Sequence, residues 1–330
     1  MPTLPALAHR GETALRDLMA RLARRWLGWT PTVLTYPGYG SGGRVRVLGR
    51  VLLAPATTHP ESRRAGAGWQ RLLTLESPRT EVQVEVAGAL FRATSDRNGL
   101  VDQTVDLPDG VQHQGQVTVT LRVHDRESTA PAHLSSPDAA RGVICDLDDT
   151  LIVTGMSSPL QAAWRTFVQP TTRRRAVPGM QELLAELTRG PANVPVVYLS
   201  NGPWNFVGPL QRFLQRTGFP AGALLLTDWG IQPDRWFRDG RAHKRASLQR
   251  LSEDVPRVAW TLVGDTSEHD PALYRAFAEQ QPDRVHAILL CDLAVPPGPA
   301  RIDRVGTVPV VHGHDGTALR EAVRALARPA

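Results

Sequence analysis

The stretch Gly142-Val-Ile-Cys-Asp-Leu-Asp-Asp-Thr-Leu151 decides how the chain is read. Its apolar run Val143–Cys145 has the form of a strand buried on both faces, as in a parallel sheet. The run stops at three carboxylates, Asp146, Asp148 and Asp149, followed by Thr150. Aspartate is a poor strand former and costly to bury unpaired. Such a cluster at the carboxyl end of a buried strand calls for compensation, and a divalent cation is the usual one. In open α/β sheets ligands gather at that end of the strands. Residues two apart on a strand face the same side, which aligns Asp146 with Asp148. The same Asp-Asp-Thr also suits a turn or helix cap.

Carboxyl-terminal to this stretch, apolar strands alternate with helical patterns. The strands are expected at Val143–Cys145, Val194–Leu199, Ala223–Leu226, Val258–Val263 and Val285–Leu290. Helices are expected at Met180–Arg189, Gly208–Thr217, Lys244–Leu251, Pro271–Gln280 and Gly316–Ala327. This rhythm predicts an α/β domain over 141–330 built on a doubly wound parallel sheet. Upstream the period drops to two. Arg44–Leu53, Glu81–Val86 and Gln116–Val123 alternate apolar with polar residues, which predicts an antiparallel β-sandwich over 31–125. Gly38–Gly43 lacks the lysine and following helix of a P-loop and reads as a flexible hairpin loop. The Ser-, Pro- and Ala-rich segment 126–140 reads as a linker.

Residues 1–30 hold one amphipathic helix, Gly11–Trp29, with Leu15, Leu18, Met19, Leu22 and Trp26 on one face and Arg16, Arg21, Arg24 and Arg25 largely elsewhere. Two readings fit it: packing against its own protein, or lying on an anionic membrane surface.

With 42% hydrophobic and 21% charged residues the chain is globular rather than disordered. Cys145 and Cys291 both sit in apolar strands and read as buried thiols rather than a disulfide or metal site. No run of about 18 apolar residues occurs, and the amino terminus has no continuous apolar signal region. A cytoplasmic protein, with peripheral membrane contact as an option, is the expectation. The net charge of +6 comes almost wholly from arginine, and Lys244 is the only lysine. A chain that keeps one lysine points to a site needing a compact ammonium rather than a planar guanidinium.

Two further strands end in polar groups, and one helix opens on another. Val196-Val-Tyr-Leu199 runs into Ser200-Asn201-Gly202, which offers a hydroxyl, an amide and backbone N–H groups to an anion. Lys244 opens a helix after Asp239-Gly-Arg-Ala-His243. Trp260-Thr-Leu-Val263 ends in Gly264-Asp265, with Asp270 five residues on. Taken in order, Asp146-x-Asp148-x-Thr150, Ser200, Lys244 and Gly264-Asp265-x4-Asp270 resemble the haloacid dehalogenase-like phosphohydrolase superfamily. The longer phrases Pro178-Gly-Met180, Tyr198-Leu-Ser-Asn-Gly-Pro-Trp204, Leu226-Thr-Asp-Trp-Gly230, His243-Lys244 and Gly264-Asp-Thr-Ser-Glu-His-Asp-Pro271 resemble the actin-patch-protein-1-type phosphatidate phosphatase catalytic domain. The likeness covers roughly Ala140–Ala294. It departs at Thr266-Ser267-Glu268, where the family often carries Ser-Gly-Gln or Ser-Gly-Glu, and at Asn201-Gly202, where a second serine is expected.

The resemblance implies a Mg²⁺-dependent phosphate monoesterase with a haloacid dehalogenase-like fold and minimal cap. Asp146 is then the nucleophile, Asp148 the acid and base, and Thr150, Ser200, Asn201 and Lys244 bind the phosphoryl group. Asp146, Asp265 and the backbone carbonyl of Asp148 are the implied metal ligands, and Asp270 a support for Lys244 or a metal-bound water. Asp149 caps the turn. His243 and His269 read as structural or catalytic. The implied substrate is a lipid phosphate, phosphatidate giving diacylglycerol, with no nucleic acid involved. A phosphatase of soluble or protein esters and a non-catalytic phosphate-binding module are the alternatives. Trp164, Trp204, Trp229 and Trp236 around the site suit either a lipid-facing rim or a core beneath the loops. Arg173-Arg-Arg175 suits anionic headgroups or a solvated turn.

Overall fold

The computed structural model describes residues 18–55, 75–111, 115–153, 175–190, 193–227, 240–266 and 269–327. The chain forms two units. One holds Met1–Leu134, Gly202–Pro209 and Leu226–Gly240; the other holds Ser135–Asn201, Leu210–Leu225 and Arg241–Ala330.

In the first unit eight strands form one hydrogen-bonded sheet: β1 (Trp29–Ser41), β2 (Arg44–Pro55), β3 (Leu75–Glu76), β4 (Glu81–Val86), β5 (Ala89–Thr94), β6 (Leu100–Asp106), β7 (Gly115–Val123) and β8 (Arg126–Leu134). Their order is β3-β2-β1-β8-β7-β4-β5, with β6 also paired to β2. Alternation explains the core. Val82, Val84 and Val86 of β4 are buried while Glu81 and Gln83 are exposed. Valine dominates this core, as β-branched side chains pack well on a pleated face.

Three sequence expectations need correction here. The segment 126–140 is not a linker throughout, because Arg126–Leu134 is strand β8, paired with all of β7. Its Ser, Thr, Ala and Pro residues hid an alternation in which Ser128, Ala130, Ala132 and Leu134 face inward. The strands are not all antiparallel, since β1 runs parallel to β8 at Gly38↔Ala132 and Gly40↔Leu134. Nor is Gly38–Gly43 a flexible loop. Only Gly42 and Gly43, both at positive φ, make the two-residue turn. Gly38 and Gly40 lie within β1, where a Cβ would come within 2.2 Å of the Arg46 carbonyl and 2.5 Å of the Arg44 carbonyl.

His133, on β8, is half-buried and accepts a 3.3 Å hydrogen bond from Gln116 Nε2. Burial holds its imidazole at about 4, below the ordinary 6.5. The folded state therefore prefers the neutral ring. That contribution is complete above pH 6.5 and is lost as pH falls from there through about 4. His133→Gln is expected to remove roughly 1–2 kcal/mol of acid-side stability loss, read from urea midpoints across this window.

The second unit is built on a seven-stranded sheet in the order β11-β10-β9-β12-β13-β15-β14. The strands are β9 (Arg141–Asp146), β10 (Val196–Pro203), β11 (Ala223–Thr227), β12 (Ala259–Asp265), β13 (Val285–Cys291), β14 (Arg301–Val305) and β15 (Val308–Gly313). β9 pairs in parallel with both β10 and β12, β12 with β13, and β13 with β15; β14 alone runs antiparallel, against β15. From β9 the chain steps outward through β10 to β11, then returns to the other flank of β9 as β12. That reversal beside β9 is the topological switch point, where α/β sheets place their ligands. Helices α2 (Met180–Leu187), α3 (Val207–Arg216), α4 (Gly240–Asp254), α5 (Asp270–Gln280) and α6 (Gly316–Leu326) follow the expected pattern; α1, at 18–27, belongs to the first unit. Asp315 caps α6 by accepting from the backbone N–H groups of Thr317 and Ala318. The expected minimal cap falls mostly within 154–174 and 228–239, outside the described residues. Both thiols are free and buried.

Candidate active site

The quoted decapeptide builds the floor of the site. β9 delivers Asp146, 3% exposed, to the switch point. The chain then turns tightly: Leu151 and Ile152 donate to the Leu147 carbonyl, and Asp149 N–H to Ile152 O at 2.9 Å. Asp149 occupies the left-handed region at φ 51°, which aspartate tolerates better than most residues. This fits the turn-forming role read for it. The turn also returns the Thr150 hydroxyl, fully buried, to donate to Asp146 Oδ2 at 3.4 Å. Thr150 thus touches the nucleophile candidate itself, a contact hidden in the sequence but for the four-residue spacing.

Lys244 joins the two ends of the cluster. Its Nζ lies 2.7 Å from Asp146 Oδ1 and 2.6 Å from Asp270 Oδ1, with all three groups buried. α4 supplies the lysine from its second turn, and Asp270 opens α5 just past the end of β12. Asp265 ends β12, 3% exposed. Carboxylate oxygens of Asp146, Asp265 and Asp270 lie within 4.8 Å of one another. Ser200, at the carboxyl end of β10, donates to Asp148 Oδ2 at 3.1 Å, and Asn201 follows it half-buried.

The electrostatics follow from burial. Desolvation raises the Asp146 carboxyl well above its ordinary range; Lys244 opposes this, while Asp270, Asp148 and Asp265 reinforce it. Burial disfavours the Lys244 ammonium, yet Asp146 and Asp270 outweigh that and hold it above its usual value. One ammonium therefore faces several acids. Asp270 Oδ2 is buried without a hydrogen-bond partner among the described residues. An orphaned oxygen and a set of hard donors fit a small divalent cation. The clustered carboxylates that could offer such an ion ligands are those of Asp146, Asp265 and Asp270. The carboxylate of Asp148 meets Ser200, and Asp270, expected to support Lys244 or a metal-bound water, contacts Lys244 and also lies in the carboxylate cluster.

Gly264 makes room for this arrangement. A Cβ there would lie 2.6 Å from Asp270 Oδ2 and 2.8 Å from the Tyr274 ring. Gly264→Ala is expected to push Asp270 off Lys244 and to lower stability by about 1–3 kcal/mol. An unchanged denaturation midpoint would mean that the carboxylate has slack.

Of the two histidines, His269 takes a structural contact: Arg241 Nη2 lies 2.8 Å from its Nδ1, one turn along α4 from Lys244. Trp204 is not a rim anchor. It is 4% exposed and stacks on Tyr36 within the first unit, centroids 5.0 Å apart. Trp164, Trp229, Trp236, Arg173, Ser267 and Glu268 lie outside the described residues.

Together, these features define an α/β domain with a buried acidic, lysine-bridged centre at its switch point. Residues 141–292 match the family described as phosphatidate phosphatase APP1, catalytic domain. The chain is 25% identical over 233 residues to phosphatidate phosphatase APP1 of Saccharomyces cerevisiae, an alignment covering 67% of this chain and 39% of that protein. It is 23% identical over 152 residues to an uncharacterized protein of Schizosaccharomyces pombe, covering 46% and 25%. The chain therefore spans well under half the length of these curated relatives. Among solved structures, the Pnkp1/Rnl/Hen1 complex contains a chain matched at 15% identity and TM-score 0.34, over 58% of this chain and 54% of that one.

Proposed function

We propose that the chain is a Mg²⁺-dependent phosphoric monoester hydrolase of the haloacid dehalogenase-like type, acting on a lipid phosphate, with phosphatidate giving diacylglycerol. The observation that carries this reading is the Lys244 bridge between Asp146 and Asp270, in one cluster with Asp265. The lipid assignment draws on the family match and the yeast relative's name.

Asp146 attacks phosphorus through a carboxylate oxygen, the P–O bond to the alcohol breaks, and an aspartyl-phosphate forms. Asp148 gives its proton to the departing alkoxide. It then takes a proton from the water that cleaves the acyl-phosphate, returning both residues to their starting states. Ser200 holds Asp148 and faces the phosphoryl oxygens. Thr150 steadies Asp146, Asn201 adds an amide beside the phosphoryl group, and Lys244 balances charge on nucleophile and phosphate. Asp146, Asp265 and Asp270, with the Asp148 carbonyl, would hold Mg²⁺, which supplies electrophilic stabilisation of phosphate charge.

The test is phosphate release from phosphatidate, lysophosphatidate and soluble monoesters, with Mg²⁺ or with EDTA. Release from phosphatidate that EDTA stops is expected. Turnover of soluble esters alone would replace the lipid assignment, and no release from any ester would leave a phosphate-binding module.

A further inference from the structure

Helix α1, residues 18–27, is mounted in reverse of an ordinary surface helix. Such a helix buries its large apolar side chains and shows its polar face. Here Ala23 is the buried residue, and Arg24 on the same side donates to Ser77 Oγ at 2.5 Å. The large apolar residues point outward: Leu18, Leu22 and Trp26 are 48%, 46% and 75% exposed, and Met19 is 40% exposed. At about 100° per residue, Leu18, Leu22 and Trp26 form one stripe with Met19 beside it. Arg21 and Arg25, both exposed, run along its other flank.

The composition of that face chooses its occupant. From Leu18 to Leu27 the sequence has three arginines and no acidic residue. A second copy would bring like charges together along the stripe. An anionic bilayer offers the reverse: acyl chains for the leucines, a headgroup boundary for the tryptophan, and phosphates for the guanidinium groups. The chain's net charge of +6 favours the same partner. We propose that the outward face of α1 docks the protein on an anionic lipid surface. This goes beyond the catalytic reading and does not depend on it.

The experiment is co-sedimentation of the full chain with vesicles of phosphatidylcholine, alone or mixed with phosphatidylglycerol. Wild type is expected to bind the mixed vesicles, more weakly as salt rises, and to stay in the supernatant with phosphatidylcholine alone. The variant Leu22→Glu/Trp26→Glu is expected to lower partitioning by roughly 10-fold or more, with an unchanged thermal melt because both side chains are exposed. Equal sedimentation of variant and wild type would overturn the proposal. So would equal binding to both vesicle types, or a lipid-free dimer that the variant abolishes. Vesicle binding without phosphate release would leave this proposal standing and defeat the catalytic one.

Discussion

Asp146→Asn is expected to lower kcat by roughly 10⁴-fold or more while leaving the metal-free fold at least as stable as wild type. The two halves of this result have one cause. In the proposed mechanism Asp146 attacks phosphorus, and its buried position makes that same charge expensive to the fold. Burial and three neighbouring carboxyls push its pKa up, and Lys244 only partly offsets them. Since its folded pKa lies above the ordinary 3.8, the folded protein binds more protons than the unfolded one over that interval. Without metal, the raised Asp146 pKa makes stability fall as pH rises through that interval. An amide of the same shape removes the buried charge and the proposed nucleophile together. Single-turnover phosphate release, paired with urea melts in EDTA, checks both halves. Retention of full turnover would remove Asp146 from the mechanism.

Lys244→Met carries the second large effect, in the opposite sense on stability. Methionine fills much of the lysine's volume but leaves Asp146 and Asp270 buried without their shared cation. Breaking a buried pair in this way typically costs about 3–5 kcal/mol, because an uncompensated charge remains. Activity should vanish as well. Adding Asp270→Asn is expected to return more than half of the lost stability and none of the activity. Lys244→Arg should not rescue either property, since a planar guanidinium overfills a slot shaped for an ammonium. If the double variant is no more stable than Lys244→Met, the Lys244–Asp270 contact is not the source of the loss.

Much of the second unit's fold is legible in the sequence. The parallel strands of the second unit announce themselves as apolar runs because a sheet covered on both faces needs little polar alternation. The carboxylates at their ends stand out for the same reason. Hairpin β14–β15 was missed, since Pro309 and the charged Arg301, Asp303 and Arg304 mask its alternation. β8 was missed because serine and alanine fill inward positions where valine would have signalled a strand. For the candidate site, the sequence offers the residues but not their partners. That Asp270 joins the acidic cluster, that Ser200 grips Asp148, and that Thr150 turns back onto Asp146 all depend on where β9, β10, α4 and α5 converge. Gly264 reads in sequence as an ordinary turn glycine; only its distance to Asp270 reveals a steric requirement.

The solitary lysine has a consequence outside catalysis. Every other basic side chain is arginine or histidine, and the one ε-amine lies 2% exposed between two carboxylates. Amine cross-linkers and enzymes that acetylate or ubiquitylate lysine find no exposed lysine side chain in this chain. Reaction at Lys244 requires the acidic centre to open, so covalent labelling there would count openings of the site rather than sample a surface.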